Sequence, residues 1–94
     1  MMMNITGYSV EKIIDPTGIL EGDRYEFLLD IEVDEEDELF SEDGVTLRVI
    51  FVVTAGTEKI VQYQFLENTT NQILDFELEE DEVEMVTQFC KEHI

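Results

Sequence analysis

The residues of this 94-residue chain that could carry chemistry are mostly carboxylates, and clustered carboxylate oxygens are the ligands that Ca²⁺ prefers. Four acids in one run are weak candidates for a divalent-cation site: Asp34, Glu36, Asp37 and Glu38. An EF-hand loop requires acids at alternate positions, a glycine at the sixth and a glutamate at the twelfth. Counted from Asp30, the sixth residue is Glu35 and the twelfth is Ser41, so the pattern fails. We therefore expect a solvated acidic loop here and no dedicated metal site.

A second acidic cluster lies between residues 77 and 84. Asp81 and Glu84 have the spacing of a capping box, and carboxylates in the first turn of a helix are stabilised by its dipole. Capping and solubility together are the simpler interpretation of this cluster.

The usual nucleophiles and bases are scarce, because the chain has one cysteine, Cys90, and one histidine, His93. A single cysteine excludes an intramolecular disulfide and a cysteine-based metal cage. A Ser-His-Asp arrangement would depend on His93, which is next to last in the chain. Cys90 lies among acids, which raise the pKa of a thiol and lower its reactivity. We predict no catalytic residues, no cofactor and no enzymatic activity.

The charge balance narrows the possible partners. The chain has 5 Lys and Arg against 24 Asp and Glu, a formal net charge of −19. Nucleic acid and anionic membranes would repel such a surface, whereas a basic protein would attract it. An acidic domain can also occupy the nucleic-acid site of a basic protein, with carboxylates standing where phosphates would. No apolar run is long enough to span a membrane, and no secretory signal is expected, so we predict a cytoplasmic location.

The elements that must position these residues are strands followed by one helix. Strands are predicted at 5–14, 24–33, 45–54, 59–67 and 73–78, and a helix from about residue 81. The strongest signal is the strict alternation of apolar and polar residues over 24–33. The segment 45–54 is apolar on both faces at its end, which is typical of a central strand. In the last two strands, one face is expected to carry Val61, Tyr63 and Phe65, and then Leu74, Phe76 and Leu78, all facing inward. After residue 81 the apolar residues recur at spacings of three and four, as in an amphipathic helix; they are Val83, Val86, Phe89, Cys90 and Ile94.

These elements predict a single α+β domain over residues 1–94. Its core would be an antiparallel β-meander of four to five strands, with one C-terminal amphipathic helix packed on one face. Leu28, Ile50 and Val52 fall on the opposite face and would be left in water. They form a possible interaction surface for a protein partner or a second copy. The alternative is that the N-terminal strand or the segment 13–20 folds across them.

One stretch of the sequence resembles a known family. Residues 11–44, EKIIDPTGILEGDRYEFLLDIEVDEEDELFSEDG, and residues 89–93, FCKEH, resemble small acidic proteins of Bacillus-like Gram-positive bacteria that have no assigned function. The resemblance implies a cytoplasmic single-domain protein and supplies no functional residues.

For function, the sequence favours a non-enzymatic protein-interaction or regulatory module that binds an unknown protein partner or forms a homodimer. One alternative is an acidic nucleic-acid mimic that binds a basic protein. A second alternative is a weak divalent-cation binder.

Overall fold

The fold is a five-stranded antiparallel sheet followed by one helix. The computed structural model describes residues 3–14, 22–36, 42 and 44–94. Its elements, in chain order, are β1 (Met3–Ile13), β2 (Asp23–Val33), β3 (Val45–Thr54), β4 (Thr57–Glu67), β5 (Ile73–Leu74) and α1 (Glu80–Glu92). The strands lie in the order β1-β2-β3-β4-β5, so each strand pairs with its neighbours in sequence. The predicted α+β meander with a C-terminal helix is confirmed.

The alternation in β2 places one row of side chains in the core. Phe27, Leu29 and Ile31 are buried, while the intervening Leu28 and Asp30 are exposed. Each buried residue of this row lies opposite an apolar residue of β3: Phe27 opposite Val49, Leu29 opposite Leu47 and Ile31 opposite Val45. Cross-strand apolar pairs of this kind stabilise a sheet because both partners are removed from water together.

The β3–β4 hairpin is tighter than predicted and contains an irregularity. Thr54 pairs with Thr57, which leaves only Ala55 and Gly56 in the loop, and Gly56 has φ of 83°. Glycine adopts this left-handed conformation without steric cost.

A shift in register between Ile50 and Phe51 changes which residues of β4 face inward. Ile60, and not Val61, lies opposite Phe51 and packs against the core, while Val61 is 44% exposed. The expectation that Val61 faces inward was therefore wrong, because a β-bulge inserts one extra residue and resets the alternation.

The C-terminal part places the helix on the core face. Leu74, Phe76 and Leu78 pack against the core as predicted, although β5 itself ends at Leu74. In α1, Val86 and Cys90 are fully buried against the same core.

The predicted helix cap is displaced by two residues along the chain. Glu79 and Glu82, and not Asp81 and Glu84, form the capping box. The Glu79 N–H donates to Glu82 Oε1 at 2.9 Å, and the Glu82 side chain is buried. The helix begins at Glu80, so Glu82 is the third helical residue and its carboxylate reaches back to the free N–H group.

Candidate protein-interaction site

The first strand lies at the edge of the sheet. β1 pairs with β2 along one side, and no other strand in the described part of the chain pairs with its outer side. Residues 3–10 contain no charged side chain, and the whole strand contains only Glu11 and Lys12. Edge strands are normally protected by charged residues, prolines or bulges, since an unprotected edge can pair with another chain. In a chain of net charge −19, an edge strand without net charge is an unusual surface.

The regular part of this edge begins after a bulge. The register of β1 against β2 shifts between Ile5 and Gly7, which leaves Thr6 without a partner in the ladder. The Thr6 hydroxyl donates to the Asp30 carbonyl oxygen at 3.4 Å. From Gly7 to Ile13 the pairing continues without interruption. The outer edge therefore offers seven consecutive residues in regular strand geometry.

On the helix side of the sheet, β1 is only partly covered. Tyr8 lies opposite Leu29, and Val10 lies opposite Phe27, so both point to the same face as the core. Tyr8 is nevertheless 47% exposed and Val10 is 38% exposed. The sheet therefore continues its apolar face to the edge, where the helix does not bury it fully.

A groove separates β1 from the helix. It encloses about 350 Å³ and is lined by Asn4, Ile5, Met85, Gln88, Phe89 and Glu92. We call it the β1–α1 groove. Its apolar lining comes from both elements, and Gln88 and Glu92 supply polar groups from the helix. A groove beside an open strand edge can receive the side chains of a strand that pairs with that edge.

Three rings cluster next to this groove. The His93 ring stacks on Phe89, with centroids 4.0 Å apart, and meets the Tyr8 ring edge-on at 4.6 Å. His93 Nδ1 lies 2.7 Å from the Phe89 carbonyl oxygen. Because a carbonyl oxygen only accepts, Nδ1 carries the proton and donates this bond. The cluster joins the C-terminal end of the helix to the middle of β1.

The comparison with protein families places the chain in one of them. A family model described as a family of unknown function, DUF6509, matches residues 3–94. The chain belongs to this family. No curated protein and no solved structure matches the chain. The family match confirms the resemblance to an uncharacterised family, while the Gram-positive source stays a prediction. No helix formed by the described residues is long and apolar enough to cross a bilayer.

The three residues of the predicted apolar surface differ in how far they are exposed. All three lie on the sheet face opposite α1, but Ile50 and Val52 are only 7% and 6% exposed, and Leu28 is 37% exposed. The expectation that all three would be left in water therefore holds only for Leu28. Beside Ile50, Arg48 donates to Glu26 Oε2 from Nε at 2.9 Å, and its terminal nitrogen lies 2.8 Å from the same oxygen.

The two proposed covers for that surface have different outcomes. β1 lies beside β2 in the plane of the sheet and does not fold across its face. The other proposed cover, the segment 13–20, lies outside the described residues from position 15 onward.

Two of the four candidate metal ligands belong to the described residues. Asp34 and Glu36 are exposed just after β2, and Asp37 and Glu38 lie outside the described residues. Within the ranges that the structure describes, no three side chains of the types that bind metals come together.

Cys90 is a core residue, as its position on the apolar stripe predicts. Its side chain is fully buried, and burial raises its pKa from the ordinary value of 9.0 to about 12. The cause of the raised pKa is desolvation by burial and not, as predicted from the sequence, the neighbouring acids. Such a thiol is not a nucleophile at neutral pH.

The β1–α1 groove was not predicted from the sequence. Its two walls are about 80 positions apart in the chain, so no local pattern joins Ile5 to Phe89. One signal was present: residues 3–10 are uncharged in a chain where 24 residues are acidic.

Proposed function

We propose that this protein is a non-enzymatic protein-interaction module that binds an extended segment by strand addition at the outer edge of β1. The observation that supports this proposal is the regular outer edge of residues 7–13, whose two charges, on Glu11 and Lys12, are opposite in sign, and which no described strand covers. An added strand would satisfy the free N–H and C=O groups along this edge, which provides affinity through main-chain hydrogen bonds.

The β1–α1 groove would then supply specificity. Successive side chains of an added strand point to opposite faces, so every second one would lie on the helix side. On that side the strand would meet the half-exposed Tyr8 and Val10, and its end would reach the apolar lining around Phe89. Apolar residues at alternate positions are therefore the expected sequence of a bound segment.

A non-enzymatic role is supported by the state of the two residues most suited to catalysis. The Cys90 thiol is buried with a pKa of about 12. The His93 ring is stacked on Phe89 and hydrogen-bonded to its carbonyl oxygen. Both side chains are engaged in packing α1 against the sheet.

The test is a selection from a displayed peptide library, followed by amide hydrogen exchange on the complex. We expect the selected peptides to alternate apolar and polar residues. On binding, every second amide of residues 7–13 should gain protection, because the amides between them already pair with β2. This alternating pattern is specific to strand addition.

Two other outcomes would contradict the proposal. Protection that is confined to the acidic first turn of α1, and is lost at moderate salt, would favour the acidic-mimic alternative. Protection of residues 7–13 without alternation would indicate general rigidification of β1 and no added strand.

A further inference from the structure

We infer that the segment added to β1 is β1 of a second copy of this chain, paired antiparallel about a two-fold axis at Val10. The inference rests on the proposed function, since it names the partner of the same edge. It would join the two five-stranded sheets into one sheet of ten strands with both helices on the same face. A two-fold contact of this kind uses the same surface on both copies and is closed, so assembly stops at the dimer.

The position of the axis follows from the bulge in β1. Regular pairing geometry extends over residues 7–13, and Val10 is the middle residue of that run. An antiparallel pair centred there uses all seven residues on each copy. A centre at Ser9 or earlier brings Thr6, the unpaired bulge residue, into the new ladder and shortens its regular part.

The charges of β1 favour the same centre. With the axis at Val10, Glu11 lies opposite Ser9 of the second copy, and Lys12 lies opposite Tyr8 of the second copy. No charge faces a like charge. With the axis moved by one residue to Glu11, two glutamates would face each other directly, which is destabilising.

The side chains that this pairing covers are those left half-exposed in one copy. On the helix side, the two Val10 side chains meet, and each is 38% exposed in the single chain. Lys12 lies on the same face, where its ammonium group is 3.4 Å from Asp23 Oδ1 in the single chain; in the dimer a cation–π contact with the opposing Tyr8 ring would replace or share that ion pair. On the other side, Ile13, which is 38% exposed in the single chain, lies opposite Gly7, where the Asp30 side chain occupies the space that a larger residue would fill.

The net charge predicts that the dimer depends on salt in the opposite way to a complex with a basic partner. Each copy has a net charge of −19, so the copies repel at long range even though residues 7–13 themselves carry no net charge. Salt screens that repulsion, so self-association should become stronger as NaCl is added. Binding of a basic segment should become weaker under the same change.

Disulfide trapping tests the register. Val10→Cys and Ile13→Cys are each made in a Cys90→Ala background and incubated in a glutathione redox buffer. Residues directly opposite in an antiparallel pair have Cα atoms about 4.5–5.5 Å apart, which suits a disulfide. The two Ile13 positions would be offset by six residues along the strands, or about 20 Å. We expect covalent dimer from Val10→Cys and little from Ile13→Cys.

Sedimentation equilibrium tests how the charges affect dimerisation in solution. For the unmodified chain we expect a dimer whose dissociation constant falls as NaCl rises. Val10→Lys places two lysines face to face and should weaken the dimer at least about tenfold. Ser9→Lys, the matched control, places a lysine opposite Glu11 and should leave the dimer intact or strengthen it. Circular dichroism melts of both variants confirm that each is folded.

Equal cross-linking of the two cysteine variants would overturn the inference, as would a chain that stays monomeric at high salt and high micromolar concentration. These failures are distinguishable from failure of the proposed function. If the chain is monomeric but a selected peptide protects alternate amides of β1, the proposed function stands and only the second copy is excluded as the partner. If the chain is monomeric and no peptide binds at β1, the proposed function fails as well.

Discussion

The reactivity of Cys90 should report directly on whether α1 is packed on the sheet. The thiolate is the reactive form, and burial raises the pKa of this thiol from 9.0 to about 12. At pH 8, a thiol with a pKa of 9.0 is about one-tenth ionised, whereas one with a pKa of about 12 is ionised in about one molecule in ten thousand. Ionisation alone therefore predicts about a thousandfold slower alkylation than for an exposed thiol, and the buried position lowers the rate further.

The assay is alkylation by iodoacetamide at pH 8, followed by mass spectrometry. The matched control is Lys91→Cys in a Cys90→Ala background, because Lys91 is the exposed neighbour of Cys90 on the same helix. In denaturant, both thiols should react at the same rate. A native Cys90 that reacts within about tenfold of the control would refute the packing of α1 described above.

The same shift predicts how stability depends on pH. Since the pKa of Cys90 is higher in the folded state than its ordinary value of 9.0, the folded state keeps the proton longer. The associated stability is fully present below pH 9.0 and is lost as pH rises toward about 12. At pH 10 the loss should be about 1.4 kcal/mol. Urea denaturation should show this decline in the unmodified chain relative to Cys90→Ala, and parallel pH profiles would contradict the assignment.

Three further predictions concern the sheet and its charges. Phe27→Ala should lower the free energy of unfolding by about 3–5 kcal/mol. The same change at the exposed neighbour, Leu28→Ala, should lower it by less than about 1 kcal/mol, and similar losses for the two variants would contradict the alternation of β2. Arg48→Met should cost about 1 kcal/mol in urea denaturation, because it removes both contacts to Glu26 Oε2 and keeps the apolar stem; an unchanged stability would show that the pair contributes nothing. Added NaCl should raise the melting temperature at low micromolar protein, because 24 acids face 5 bases; a decrease would contradict net repulsion.

The parts of the fold that were predictable are those set by local periodicity. The alternation over 24–33 identified the buried face of β2, and the three-and-four spacing placed Val86 and Cys90 on the inner side of α1. Both patterns work because a strand and a helix repeat their side-chain directions at fixed intervals.

The parts that were missed depend on pairing between distant residues. Ile60 and Val61 are both apolar, so the pattern does not decide which one faces inward, and the bulge opposite Phe51 does. The capping box was placed wrongly because several consecutive acids can serve as a cap, and only the observed start at Glu80 selects Glu79 and Glu82. The β1–α1 groove forms only where α1 packs beside β1, so the sequence pattern of either segment alone does not predict it.

Amide hydrogen exchange of residues 7–13 in the dilute chain tests the central claim most directly, since that claim is an open outer edge on β1. The account predicts alternation: amides that pair with β2 exchange slowly, and those between them exchange quickly until a strand is added. Slow exchange at all seven positions in dilute solution would mean that something already covers the edge. Fast exchange at all seven would mean that β1 is not held in the sheet.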